Sequence, residues 1–252
     1  MSVPVHEAET GKLQHEQDHL HALHRMSVLQ SYYGWSLSRL MPWVGERVLD
    51  AGCGIGTGTE ILAANSEYVA AVDLSSSNLE ALRRKLGGDQ SSVETMQLDL
   101  EGDISFLHER QLDTVVCLDV LEHVQNDVDL LAKFLQVVQP GGNLLLKVPA
   151  MPSLFGTVDE ASSHYRRYSR GLLTGVAENA GWQVVNCRYM NIFGVVPYFI
   201  KSRVLRRRAN FSRTFSPWQL RMLQRLIPVM SRLDRIVGPP IGQSLLMVAK
   251  KG

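Results

Sequence analysis

From Arg47 onward, short apolar runs alternate with stretches in which apolar residues recur every three or four positions. The runs lie at residues 48–49, 69–72, 93–98, 114–118 and 144–148, and the helical stretches between them at 57–65, 77–86 and 127–138. Strand–helix alternation of this kind predicts right-handed βαβ crossovers and a mainly parallel sheet. Gln139-Pro140-Gly141-Gly142 predicts a helix stop and a turn before the fifth strand. Beyond it the pattern predicts a helix over 171–179, a strand over 182–189, a helical insertion at about 194–237 and a last strand over 244–249. Ahead of Arg47, residues 1–45 read as a helical cap. Leu13, Leu20, Leu23, Met26 and Leu29 lie among polar positions, Tyr32, Tyr33 and Trp35 cluster next, and Pro42 ends the segment. The expected fold is α/β: a doubly wound, mostly parallel seven-stranded sheet in residues 46–252, with the cap before it and the insertion ahead of its last strand.

A chain of 252 residues with 45% apolar content suits one such domain. The N-terminus shows no secretory pattern, and Cys53, Cys117 and Cys187 are few and far apart. Both features predict a cytoplasmic protein with reduced, packing cysteines. The longest apolar stretch, from Ile192 to Ile200, is interrupted by Pro197 and is too short to span a membrane. Charge changes the picture more. The net charge of +1 conceals ten basic residues and one acidic residue between Lys201 and Arg235, against 16 basic and 24 acidic elsewhere. A basic block on an acidic body predicts contact with an anionic surface or ligand. Residues 201–235 are read either as an interfacial segment on anionic lipid, peripheral to the membrane, or as a lid or dimer contact with solvated arginines. The block lacks interleaved stacking aromatics, so nucleic acid is not the expected partner.

The densest chemistry follows the first strand, at Val48-Leu49-Asp50-Ala51-Gly52-Cys53-Gly54-Ile55-Gly56-Thr57. A buried strand ends in an acid and enters a glycine-rich turn that opens a helix. Gly52 and Gly54 let backbone approach a ligand where a Cβ would collide, and the helix start offers free N–H donors. A dinucleotide fingerprint needs glycine three residues after the second glycine, where this chain has Thr57. An acid at the strand end would also repel a diphosphate, whereas it can face a cationic sulfonium amino acid. Asp73, with Leu74 beside it, ends the second strand at the spacing of a ribose-binding carboxylate, although Ser75–Ser77 also offer a helix cap. Asp99, before Leu100, ends the third strand, either near an adenine amino group or as a solvated turn acid.

With these residues in place, the chain resembles the class I S-adenosylmethionine-dependent methyltransferases. The likeness is carried by residues 48–56, Val72-Asp73-Leu74, Leu98-Asp99-Leu100, residues 113–123 and Pro140-Gly141-Gly142. The resemblance implies a Rossmann-like methyltransferase fold with S-adenosylmethionine as cofactor. It further implies that Gly52 and Gly54 contact the methionine part, Asp73 the ribose, and Asp99 with Leu100 the adenine, while Leu118-Asp119 walls the methionine part. Within the family, His164-Tyr165-Arg166-Arg167-Tyr168 resembles the signature of a bacterial subgroup, as do residues 189–194 and 239–244. That likeness implies a biosynthetic enzyme with a small-molecule or lipid-linked acceptor.

Methyl transfer needs an acceptor held in line behind an electrophilic methyl with water excluded, and an oxygen or carbon acceptor profits from a base. Two candidates stand near the expected acceptor edge. His123, in Leu118-Asp119-Val120-Leu121-Glu122-His123, has a suitable pKa range, or else Glu122 and His123 brace the turn. His164 can act as base with Asp159 orienting it. Tyr165, Arg166 and Arg167 can bind an acidic acceptor, or the arginines pair with Asp159 and Glu160 to fix the loop. Tyr33 is read as part of a cap over cofactor or acceptor, or else as core packing. No metal site is expected; His15, His19, His21 and His24 read as a solvated helix face. The rival reading from another class is a catalytically silent, cofactor-binding scaffold or activator of a partner enzyme. An oligomer is compatible with either.

Overall fold

A computed structural model describes residues 30–87, 92–205 and 217–252. The expectations for residues 1–29 and for Arg206, Arg207, Arg208 and Arg213 lie outside the described residues. The first helix, α1 (Gln30–Leu40), leads into β1 (Arg47–Ala51), α2 (Thr59–Ala63), β2 (Tyr68–Asp73), α3 (Ser76–Leu86) and β3 (Val93–Gln97). Then come β4 (Leu112–Leu118), α4 (Asp127–Val137), β5 (Val138–Pro149), α5 (Thr157–Ala161), α6 (Arg170–Asn179) and β6 (Gln183–Met190). The chain ends with α7 (Val195–Phe199), α8 (Pro217–Val237) and β7 (Ser244–Lys250).

The seven strands form one sheet in the order β3-β2-β1-β4-β5-β7-β6. Strands β1 to β5 pair in parallel, and β7 runs antiparallel to both its neighbours. The order reverses between β1 and β4, and in an open sheet of this type ligands bind at the carboxyl ends beside that switch. Both faces are buried. Leu49, Ala51, Val115 and Leu146 belong to one apolar cluster, Val48, Val116 and Leu145 to another on the opposite face. This is why the strands read as apolar runs and not as alternation.

Two expectations are corrected. Residues 139–142 are not a free turn: β5 begins at Val138 and incorporates them, with Gly141 at φ 76°. A register shift opposite Leu112 and Thr114 absorbs the irregularity, and Lys251 donates to the Gly142 carbonyl at 2.9 Å. The predicted helix over 57–65 is only Thr59–Ala63, because Thr57 and Gly58 complete the glycine turn.

The motifs at 189–194 and 239–244 meet at a single knot beneath the insertion. Asn191 adopts a left-handed backbone (φ 64°), and its side chain accepts from Gly194 N at 3.0 Å while donating to Gln243 Oε1 at 2.9 Å. Asp234 of α8 is buried and accepts from the amides of Asn191 and Ile192 at 3.2 and 3.3 Å. This knot sets α8 against β6. Asn191→Ala should cost about 2 kcal/mol, through the strained backbone and the lost bonds. Chemical denaturation would measure it, and a change under 0.5 kcal/mol would refute this role for Asn191.

Candidate active site

The carboxyl ends of β3, β2, β1 and β4 lie side by side, which brings the glycine turn between two strand-end acids. Gly52 has φ 78°, and a Cβ there would lie 2.3 Å from Val120 Cγ2, so the position is closed to other residues. Asp73 fastens the turn. Its Oδ2 accepts from Gly54 N at 2.8 Å, and its Oδ1 accepts from Ser75 N and Asn78 Nδ2 at 2.9 and 3.0 Å. Ser75 also caps α3, so the cap and the carboxylate work together. Asp50 is buried and accepts from Thr59 Oγ1 at 2.7 Å. Burial, with a lesser push from Asp73, raises its pKa to about 6. Among the described residues a hydroxyl and no cation answers it.

Leu74, at the tip of β2, is 67% exposed, large for an apolar side chain beside buried acids. The tip of β3 is tied to that of β2 by Leu98 N donating to the Asp73 carbonyl at 3.0 Å. Asp99 is exposed and accepts from Glu101 N at 2.9 Å, while Leu100 is buried in the core.

The β4 and β5 tips carry a feature the sequence reading missed. Lys147, buried within an otherwise apolar run of β5, bonds Asp119, which holds φ 57°. Its ammonium lies 4.9 Å from the Tyr32 ring centroid and 5.8 Å from that of Tyr33. Burial works against that charge, yet Asp119 and the tyrosines hold the Lys147 pKa above its ordinary value. Tyr33 is pushed up to about 12 by burial first and by Asp119 second. The α1 tyrosines therefore reach the tips of β4 and β5, next to Leu118. A lone lysine inside the run Leu144-Leu145-Leu146-Lys147-Val148 was the available signal.

The loop after β5 folds back onto the segment after β4. Tyr165 N donates to the Glu122 carbonyl at 2.8 Å, and the rings of His123 and His164 meet edge to face with centroids 4.6 Å apart. His164 Nδ1 lies 3.1 Å from Asp159 Oδ1. Arg167 is buried: it donates to Asp159 Oδ1 at 2.7 Å and to the Ala150 carbonyl at 2.9 Å, and lies over the Tyr198 ring at 4.1 Å. Arg166 donates to Asp127 Oδ2 at 2.7 Å, an acid Tyr168 also bonds at 2.9 Å. In this arrangement both arginines serve as anchors of the loop. The acid taken by Arg166 is Asp127, 39 positions away, and not Glu160. Tyr165 is 56% exposed.

Residues 49–146 match the family described as methyltransferase domain. A 48-residue stretch is 48% identical to the demethylmenaquinone methyltransferase of Clavibacter sepedonicus, covering 19% of this chain and 20% of that protein. The chain thus matches about a fifth of the length of that curated relative. The fold of the domain is that of solved S-adenosylmethionine-dependent methyltransferases. One from Mesorhizobium loti superposes with a TM-score of 0.58 at 16% identity, over 87% of this chain and 98% of that one. Another, from Archaeoglobus fulgidus, gives 0.55 at 20% identity over 85% and 91%. The magnesium protoporphyrin IX methyltransferase of Synechocystis, solved with bound cofactor, gives 0.52 at 16% identity over 91% and 80%.

Proposed function

We propose that the protein is an enzyme that transfers a methyl group from S-adenosylmethionine to a small-molecule or lipid-linked acceptor in a biosynthetic pathway. The observation that carries this reading is the buried Asp50 carboxylate, unanswered by a cation among the described residues, beside a turn that Asp73 holds open. A sulfonium and an ammonium fit that vacancy of charge; a diphosphate does not. Gly52 and Gly54 offer backbone to the methionine part, and Leu118 lines its far side. Asp73 Oδ2 has a lone pair left for the ribose, beyond its bond to Gly54 N. The exposed Leu74 covers one face of the adenine, with Asp99 and Leu100 at its edge. Bound there, the cofactor supplies an activated methyl. The chain's own part is to orient it, exclude water and hold the acceptor in line. His164, His123, Tyr165 and Tyr33 stand on the acceptor side, while Arg166 and Arg167 fix the loop that carries His164.

Calorimetric titration with S-adenosylmethionine tests the reading directly, and a folded protein that shows no heat of binding would sink it. The pH dependence carries a sign. Asp50 has its pKa raised to about 6 by burial in the free protein, so it is protonated below that pH. A bound cation favours the carboxylate, hence affinity should rise about tenfold between pH 5 and 7. In Asp50→Asn the profile should flatten. The same shift makes Asp50 lower stability as pH rises from about 4 to 6, since the folded state binds the extra proton there.

A lipid-linked acceptor is supported by α8. Ile227 is buried and Met230 half-buried against the core, whereas Leu226 and Leu233 are exposed. Trp218, Met222, Leu226, Val229, Leu233 and Ile236, at spacings of three and four, form an exposed apolar stripe. Exposed Arg225, Arg232 and Arg235 lie alongside it, and the one acid between residues 194 and 237, Asp234, is turned inward. Apolar area edged only by positive charge suits an anionic bilayer surface. Among the described residues no helix is long and apolar enough to cross a membrane. Vesicles containing phosphatidylglycerol should co-sediment the protein and shift Trp218 emission to the blue, and Leu226→Glu with Leu233→Glu should abolish both. Equal binding to pure phosphatidylcholine, or none to either, would remove the membrane part of the proposal.

A further inference from the structure

We infer that Glu122, His123 and His164 form a binding site for one divalent transition-metal ion on the acceptor side of the methyltransferase cleft. The inference deepens the proposed function and rests on it for the identity of the acceptor, though not for metal binding itself.

The geometry begins with the three side chains, each of which offers a donor atom within 4.8 Å of the others. Two ligands on one ion of this class stand roughly 3–3.5 Å apart, so side-chain movements of at most about 1.3–1.8 Å close the set. Glu122 supplies the independent sign of a missing partner. It is 1% exposed, and its Oε2 has no hydrogen-bond partner among the described residues. A buried carboxylate oxygen left unanswered is costly, and a cation between it and two imidazoles removes that cost.

The surroundings are those a ligand histidine needs. His164 turns Nδ1 to Asp159, which leaves Nε2 for an ion, and Arg167 with Gly156 N holds Asp159 in place. A carboxylate behind a ligating imidazole fixes its tautomer and raises its basicity. The main-chain bond from Tyr165 N to the Glu122 carbonyl clamps the two halves of the site. Two imidazoles and one carboxylate suit cobalt, zinc, iron or manganese better than magnesium or calcium.

Three protein ligands leave positions open for an acceptor oxygen, which makes a hydroxyl compound the favoured acceptor class. Ligation lowers the hydroxyl pKa and its proton leaves to solvent. An oxygen lone pair then forms the O–CH3 bond while the S–CH3 bond breaks, its electron pair returning to sulfur to leave a neutral thioether.

Metal-stripped full-length protein titrated with Co2+ should bind one equivalent and develop visible absorption bands. Glu122→Gln and His164→Ala should each weaken binding at least thirtyfold. His123→Gln is the third check should either fold poorly, and a far-ultraviolet circular dichroism spectrum and thermal melt matching the parent's certify each variant as folded. Replacing His15, His19, His21 and His24 together by alanine should leave the absorbing site intact. Co2+ affinity unchanged in the certified site variants, or lost in the N-terminal variant, overturns the assignment. So does S-adenosylmethionine binding by a protein that takes up no Co2+, which leaves the methyl-transfer reading standing. Co2+ uptake at this site without S-adenosylmethionine binding supports the metal site and sinks the methyl-transfer reading.

Discussion

Asp73→Ala is expected to weaken S-adenosylmethionine binding by about 100- to 1,000-fold while the protein stays folded. One carboxylate serves both sides of the contact. Its oxygens accept from Gly54 N, Ser75 N and Asn78 Nδ2 at 2.8–3.0 Å, which sets the shape of the glycine turn. The proposed ribose bonds use lone pairs of the same group. Hydrogen bonds to a charged acceptor contribute about 1.5–3 kcal/mol each, so losing two that are partly open to solvent, toward the lower end of that range, costs roughly 3–4 kcal/mol in binding. Asp73→Asn keeps one acceptor oxygen and the shape, and should lose about tenfold. Calorimetry on both variants decides the matter. Alanine binding within threefold of the parent would show that the ribose is held elsewhere.

The second large effect falls on stability. Asp159 and Arg167 are both buried, and their 2.7 Å bond is reinforced by the Ala150 carbonyl and the Tyr198 ring. Burial alone would raise the Asp159 pKa, yet His164 and Arg167 hold it below the ordinary value. Removing the acid strands a guanidinium in the interior, and truncating one partner of such a pair costs about 3–5 kcal/mol. For a chain of this size, Asp159→Ala should lower Tm by roughly 6–20 °C. Asp159→Leu combined with Arg167→Met should recover much of the loss, because an apolar pair has no charge to strand. Thermal melts of the three variants test this. A single variant as stable as the parent would mean the pair is not what holds the loop.

Among the chemistry-bearing residues, legibility followed distance along the chain. Asp50, Gly52, Gly54 and Asp73 declared themselves because each sits at a strand tip next to a turn, and strand tips can be read from local pattern. Arg166 did not. Its partner Asp127 lies on another element, whereas the sequence offered only the nearer acids Asp159 and Glu160. Lys147 was masked by the apolar run around it, and its meaning depends on Asp119, which follows the adjacent strand β4. On α8 only packing showed that Ile227 belongs to the core and its neighbour Leu226 to the surface.

What the amino-acid order determined alone was the strand–helix alternation, the glycine turn after β1 and the acids at the ends of β1 and β2. Each arises from residues within one or two turns of one another, where sterics and periodicity act directly. Tertiary structure decided which loops share a site. The order β3-β2-β1-β4-β5-β7-β6 sets β4 beside β5, and so brings Glu122 and His123 to His164 and Asp119 to Lys147. Contacts between residues dozens of positions apart are selected by the packing of the whole sheet, and no local pattern encodes them.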